Sequence, residues 1–505
     1  MVLSLPLVGG LVVVAAIFYY ITRKENKPKL EGKIPPGPWG LPFIGNILQM
    51  DWKFPFMSFV KWAEEYGDIY SARMGSQTVY VISDLKMVKE MFSQEPAFAG
   101  RLNPAEGVND LYTNGQMHGV INTEGRHWED LRRFTLRQLR DFGFGKSTME
   151  GLIMDELGEI LDWMKSKEGL PVRDVKQRMA VAVVNSVWTL VTGKRYKQED
   201  PAILKLTKDF TETMDELSKG AGPGIMLPLL RYVGFKGLTL WRNHLENLKA
   251  LFSSIVQEHK ETYTEGSPRD FVDSFLGEIN SCKDEESPFY KDVGNRQLIG
   301  VIKDLFEAGS ESSSTTLSWI FLYLSTFPEV QKKLQEEIDT VVGNSRHCSL
   351  TDRPNLPYTE SFISEALRYS SGAPVGAPHR TLTDVTYKGY AFPKHTGIMA
   401  NQYGIHFSPK IWGDPKNFRP ERFLSPDGKT FKKHEALIPF STGRRQCAGE
   451  TMARDTLFLY TANICQKFEI KFDPNDPKAN PGLKSKPGFI LSPQQYTVIF
   501  KDRLN

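Results

Sequence analysis

The sequence has little cysteine: four in 505 residues, at positions 282, 348, 447 and 465, with no CxxC spacing. That count excludes a disulfide-stapled secreted scaffold and a structural zinc site built on cysteines. Nine histidines form no HExxH or comparable ligand spacing. No Walker loop, GxSxG elbow or strand-borne GxGxxG occurs, so phosphate-cradling and serine-hydrolase chemistries have no visible machinery. Neither sign of charge is in large excess, the net charge being +3. With no basic run interleaved with aromatics, a nucleic-acid partner is not expected. Repeats and low-complexity tracts are also missing.

Charged side chains are absent from residues 1–21, MVLSLPLVGGLVVVAAIFYYI. A helix of that length spans roughly 30 Å, the thickness of a bilayer core. Arg23, Lys24, Lys27 and Lys29 follow the apolar run instead of preceding it, and no A-x-A site ends it. A cleaved signal peptide has the opposite order. The expectation is a retained transmembrane anchor over residues 1–22, N-terminus luminal and the remainder cytosolic. Residues 23–48 are basic and then proline-rich (KIPPGPWGLPFIGN), a stiff non-helical hinge or an ordinary linker. Residues 49–505 read as one domain, with 40% hydrophobic residues to supply its core.

Helical patterns dominate that domain. VYVISDLKMVKEMF passes from a β-branched run into a helix, and amphipathic stretches cover 146–165, 172–193, 200–219 and 239–262. The longest runs over 295–327. Strand signals are short and gathered in the last third (DVTYKGYAF, KFEIKF, YTVIF). The fold class is mainly α with small β-sheets.

Four stretches carry chemistry. The longest helix holds Ala308-Gly309-Ser310-Glu311-Ser312 in its middle, where glycine and serines are poor helix material. Glu311 and Ser312 offer a carboxylate and a hydroxyl for proton transfer, though a solvent-facing polar patch would look the same. In SEALRYSS, Glu365 and Arg368 share a helix face, and Arg422 in FRPERF can complete a charged cluster. In GRHWEDLRRF, Trp128 and Arg132 stand at i and i+4. As an isolated pair they read more simply as a core tryptophan and a solvated arginine. Finally, FSTGRRQCAG surrounds Cys447 with Gly443, Arg445 and Gly449, and a helix follows. Neighbouring cations and helix N–H groups favour a thiolate, a strong ligand for iron, and the glycines permit close approach of a flat group.

FSTGRRQCAG fits FxxGxRxCxG, the haem-thiolate signature of the cytochrome P450 monooxygenases, and AGSES, EALR and PERF precede it in that family's order. The resemblance runs over essentially the whole chain, anchor and PPGPWGLPFIGN hinge included. Trp128, PHR and RQLRDFG look most like the microsomal family-2 clan, and ESSSTTLSW and GETMARDTLFLY suggest an arthropod member. The resemblance implies a single mostly helical domain with haem b (iron protoporphyrin IX) between two helices. Cys447 would be the axial ligand. Trp128, Arg132, His379 and Arg445 would bind the haem propionates, which replaces the bland reading of Trp128. Gly443 and Gly449 would belong to the cofactor loop, and Glu365, Arg368 and Arg422 to the ion cluster behind it.

Ala308 and Gly309 would widen the oxygen groove, and Glu311 and Ser312 would be the acid–alcohol pair that supplies protons. The family's usual alcohol is threonine, so Ser312 is a departure. The implied partners are NADPH–cytochrome P450 reductase, with Arg137, Arg140, Lys432 and Lys433 as docking candidates, and cytochrome b5. The implied place is the endoplasmic reticulum membrane. The implied reaction is hydroxylation or epoxidation of a small lipophilic substrate. Substrate contacts are expected over 101–122, 205–232, 304–312, 373–378 and 489–492, with Phe306, Ala373, Val375 and Ile490 as apolar candidates. Epoxidation of a juvenile-hormone precursor and N-hydroxylation of an aromatic amino acid to an aldoxime both remain open. A haem-thiolate isomerase or dehydratase, which needs no acid–alcohol pair, and a haem carrier are the competing classes.

Overall fold

A computed structural model describes residues 30–503 apart from Ser76, 103–115, Asp174 and 218–235, together with Val14 and Phe18. The expected anchor otherwise lies outside the described residues, as do parts of the expected substrate segments 101–122 and 205–232. Among the described residues no helix is long and apolar enough to cross a membrane.

Helix α1 (Pro55–Tyr66) starts on a proline, whose missing N–H is no loss in a first turn. Strands β1 (Ile69–Met74) and β2 (Gln77–Ile82) form an antiparallel pair, and α2 (Leu85–Gln94) follows, capped by Asp84, which accepts the Met87 N–H. Strand β3 (Gly100–Arg101) precedes six helices: α3 (Gly125–Asp141), α4 (Ser147–Ser166), α5 (Val175–Thr192), α6 (Pro201–Glu216), α7 (Lys236–Thr262) and α8 (Phe271–Ser281). The central α9 (Lys291–Thr326) runs for 36 residues and is followed by α10 (Pro328–Val341) and α11 (Pro357–Ser370). Then come β4 (His379–Arg380), β5 (Val385–Tyr387), β6 (Tyr390–Phe392), β7 (Gly397–Ala400), α12 (Gln402–His406) and α13 (Pro409–Trp412). The chain closes with α14 (Glu450–Lys467) and the antiparallel pair β8 (Phe468–Phe472) and β9 (Val498–Asp502).

The mainly α reading holds, but the strands are not confined to the last third. The largest sheet has the order β1-β2-β7-β4-β3 and draws three strands from before residue 102. Of these only β2 carries a β-branched run; β1 (IYSARM) and the two-residue β3 owe their state to partners distant in sequence.

Helix α9 packs against α5, α7, α8, α11 and α14. Its apolar side carries Phe306, whose ring lies 5.3 Å from Trp188 of α5 and 5.7 Å from Phe252 of α7, centroid to centroid. Phe306 is therefore core, which corrects its expected place among the substrate contacts. Two residues along a helix turn through about 200°, so Phe306 and Ala308 occupy opposite faces.

Candidate active site

The loop holding Cys447 is shaped by backbone bonds. The Cys447 N–H donates to the Phe440 carbonyl at 3.0 Å, and the Gln446 N–H to the Gly443 carbonyl at 3.0 Å. Gly443 has φ +78°, and a Cβ there would sit 2.1 Å from the Phe92 carbonyl oxygen. The close approach that requires this glycine is thus to α2, which seats the loop against the end of that helix. Gly449 is the N-cap of α14, and a Cβ on it would meet Cys447 Sγ at 4.0 Å, an ordinary contact.

Cys447 is the exposed cysteine; Cys348 and Cys465 are buried and Cys282 is half-buried. Partial burial of the sulfur pushes its thiol up, the Gly449 N–H pulls it down, Glu450 pushes it up again and Arg132 opposes that. The net direction is upward, against the expectation drawn from the surrounding arginines. Glu450 in the first turn of α14 and desolvation outweigh them. A coordinated metal, which deprotonates a thiol outright, would supply what the loop alone does not.

Three guanidinium groups converge beside the loop. Arg445 lies with Cζ 3.7 Å from the Trp128 ring centroid, its Nε donating to the Ala99 carbonyl at 2.9 Å and its Nη2 to the Thr123 carbonyl at 2.6 Å. Burial, then the charge of Arg101, pushes it down to about 8. Arg132, one turn along α3 from Trp128, donates to the Gln446 carbonyl at 2.6 Å and so links α3 to the cysteine loop. Arg101 donates to the carbonyls of Ile121 at 3.1 Å and Ala377 at 2.9 Å, and burial pushes it down to about 10. Arg101 fell inside the expected substrate segment 101–122, but the β3–β4 register places it opposite His379.

His379 is buried, stacks on Phe92 with centroids 3.9 Å apart and holds Nδ1 2.9 Å from the Phe98 carbonyl. A carbonyl only accepts, so Nδ1 carries the proton. Nε2 can donate only from the imidazolium, a form that burial disfavours here and a neighbouring anion would favour. Glu124 partly offsets the positive charge, but it is held by Arg380 and by the Arg101 N–H at 3.0 Å. Trp128 Nε1 is buried with no hydrogen-bond partner among the described residues. An orphaned buried donor beside three crowded cations fits a group bearing carboxylates. The two propionates of haem meet that requirement, with Cys447 at the same loop.

Behind the loop, Arg368 pairs with Glu365 through two bonds of 2.7 and 2.8 Å, and both side chains are inaccessible. Arg422 reaches Glu365 at 3.1 Å and Asp414 at 3.1 Å, and the Arg419 N–H adds a bond to Glu365 at 2.9 Å. Arg368 also donates to the carbonyls of His406 at 2.8 Å and Pro415 at 3.0 Å, which ties α11 to the segment leading toward Cys447.

On α9, Ala308 and Ser312 are exposed on one face of a helix that is otherwise largely buried. The Ser312 hydroxyl donates back to the Ala308 carbonyl at 2.8 Å. Gly309 meets nothing closer than Val187 Cγ2 at 3.5 Å from an added Cβ. Glu311 does not accompany Ser312. It is buried, in an ion pair with Lys176 of α5, and accepts from Thr211 of α6 at 3.2 Å and Thr315 at 3.3 Å. Consecutive helical residues diverge by about 100°, which is why the two groups face different surroundings.

One turn earlier, Asp304 accepts the N–H groups of Val120 at 2.7 Å and Ile121 at 2.8 Å. Gly119 and Gly300 touch there, and a Cβ on Gly300 would lie 2.6 Å from the Gly119 nitrogen. The strap 119–123 is thereby held to α9 on one side and to Arg445 on the other.

The sequence model of the family described as Cytochrome P450 matches residues 35–500. Cytochrome P450 2J5 of Mus musculus is 34% identical over 495 residues, covering 97% of this chain and 94% of the relative. Farnesoate epoxidase of Bombyx mori is 33% identical over 497 residues, with 96% and 97% covered. Cytochrome P450 18a1 of Drosophila melanogaster is 33% identical over 506 residues, with 98% and 91% covered. The chain belongs to the cytochrome P450 family and is a monooxygenase that binds haem b.

Proposed function

We propose that this monooxygenase hydroxylates or epoxidises a small lipophilic substrate at the endoplasmic reticulum membrane. It is anchored there by residues 1–22 and takes electrons from NADPH through the reductase, with cytochrome b5 as a second donor. The observation that carries the site assignment is the exposed Cys447 thiol beside the orphaned Trp128 N–H and the Arg101–Arg132–Arg445 group.

Haem b, when bound through a thiolate, activates dioxygen so that one atom enters the substrate. The chain's own residues prepare that chemistry. Cys447 would hold the iron, and its loop is fixed by Gly443 against Phe92 and by the bond from its N–H to the Phe440 carbonyl. Trp128, Arg132, Arg445, Arg101 and His379 would hold the propionates. Ala308 and Gly309, small residues on α9, would leave room for oxygen beside the bound cofactor. Ser312 keeps its proton on Oγ, directed at the Ala308 carbonyl, and can release it toward that space. Glu311 does not reach Ser312; its carboxylate is held behind the helix by Lys176, Thr211 and Thr315. Arg137, Arg140, Lys432 and Lys433 are exposed cations suited to an acidic redox partner.

The Bombyx mori farnesoate epoxidase among the relatives supports a sesquiterpenoid acid or ester as the first substrate to test, a juvenile-hormone precursor in class. The experiment is incubation with reductase and NADPH against terpenoid, fatty-acid and aromatic amino-acid panels, read by mass spectrometry. Oxygenated terpenoid products are expected. Aldoxime products from amino acids would overturn the terpenoid reading, and NADPH-independent rearrangement of peroxides would overturn the monooxygenase mode. Cys447→Ala should lose the thiolate-type spectrum of the reduced carbon monoxide complex; its persistence would refute the ligand assignment.

A further inference from the structure

His406 is the last residue of α12, and its imidazole is wholly buried. Nε2 lies 3.1 Å from the backbone nitrogen of Ile438. A backbone N–H only donates, so Nε2 is the bare nitrogen and Nδ1 carries the proton. That proton faces the Ser371 hydroxyl at 3.1 Å, and Ser371 caps α11 in a left-handed conformation, φ +41°. The His406 carbonyl, in turn, accepts from Arg368 at 2.8 Å. One residue therefore touches the buried ion cluster, the end of α11 and the start of the segment that ends in Cys447. Beyond Ile438 the backbone bonds continue: Ser441 N–H to the Ile438 carbonyl at 3.0 Å, then Cys447 N–H to the Phe440 carbonyl at 3.0 Å. Burial beside Arg368 pushes the imidazole down to about 3, so the bridge stays neutral at any working pH.

We infer that His406 is a positioning residue for the thiolate ligand: its neutral Nδ1–H imidazole clamps the Ile438 N–H and fixes where the loop ending in Cys447 begins. The inference rests on the reading of Cys447 as the iron ligand. Ile438 is itself buried, so its N–H has no solvent to turn to. Without an acceptor it would be a buried orphan donor, a state the chain relieves by moving the loop. The ion cluster of Glu365, Arg368 and Arg422 then acts on Cys447 through an identifiable covalent and hydrogen-bonded route.

The test uses the holoenzyme carrying His406→Gln, His406→Asn or His406→Leu. Glutamine can place an amide oxygen near the Nε2 position and accept from Ile438. Asparagine reaches only the Nδ1 position, toward Ser371, and leucine reaches neither. The readouts are the reduced carbon monoxide spectrum per bound haem and the melting temperature. His406→Asn and His406→Leu are expected to lose the thiolate-type band to the thiol-type band, and His406→Gln to restore most of it. A merely structural histidine would lower the melting temperature in all three and leave the band unchanged per bound haem, and that result overturns the inference. Should His406→Leu bind no haem, the contrast between Gln and Asn decides. Cys447→Ala separates the two readings. If it keeps the thiolate-type band, the ligand assignment fails; if it loses the band while His406→Asn keeps it, the role of His406 fails.

Discussion

Replacing Trp128 by phenylalanine separates two things the indole does. Its face carries Arg445 at 3.7 Å, while its Nε1 is buried without a partner. Phenylalanine keeps an aromatic face but weakens the cation–π contact, worth up to ~2 kcal/mol when desolvated. It also leaves a small void. Against these losses, one buried donor without a partner disappears, which recovers ~1–3 kcal/mol. The terms are of similar size and opposite sign, so the stability of the haem-free protein should change by no more than about 1 kcal/mol.

The loaded enzyme should respond differently. A propionate accepting from Nε1 makes a charge-assisted bond worth about 1.5–3 kcal/mol. Its loss should speed haem transfer to an excess of a haem-scavenging globin by about 10- to 150-fold. Urea unfolding of the haem-free protein supplies the comparison. Unchanged haem transfer together with a haem-free protein destabilised by several kcal/mol would make Trp128 a packing residue and refute the reasoning.

Arg368→Leu leaves Glu365 buried and short of its main partner, a change that costs ~3–5 kcal/mol; the yield of haem-loaded protein should collapse, and normal yield would contradict the packing of that cluster. Ser312→Ala should raise peroxide released per NADPH consumed without altering haem content, whereas an unchanged ratio would remove Ser312 from the proton route. Asp352 is held down to about 2 from 3.8, chiefly by Arg346. A carboxylate depressed in the folded state adds stability above its unfolded value and loses it as pH falls through its folded one. Unfolding free energy should therefore drop by at most about 2 kcal/mol between roughly pH 4 and 2. Asp352→Asn should flatten that slope in denaturant titrations; a slope of the same size in the variant would count against the Arg346 pair.

Residues whose role follows from covalent neighbours were readable in the sequence, and residues whose role follows from distant pairing were not. Glu365 and Arg368 are one turn apart, and their ion pair is what that spacing suggests. The long helix over 295–327 appears as Lys291–Thr326 because its apolar period survives the serine run, whose hydroxyls bond back to carbonyls such as Ala308 and Ser310. Arg101 could not be read, since only the pairing of a two-residue strand with His379 makes it part of the site. Gly443 was visible as a required glycine, but the group it makes room for is the Phe92 carbonyl. Glu311 and Ser312 are adjacent in the chain, which invited treating them as a pair, although helix geometry alone sets them about 100° apart. The same arithmetic would have moved Phe306 from the pocket to the core.

The Gly119–Gly300 contact has a consequence for how this scaffold can diversify. Two backbones meet there with no space for a side chain on either, and Asp304 holds two further N–H groups of the strap. Substitutions at 119–121 or at 300 and 304 would disturb a joint that also reaches Arg445, the residue proposed to hold a propionate. A library randomised over 119–121 should yield few haem-loaded variants.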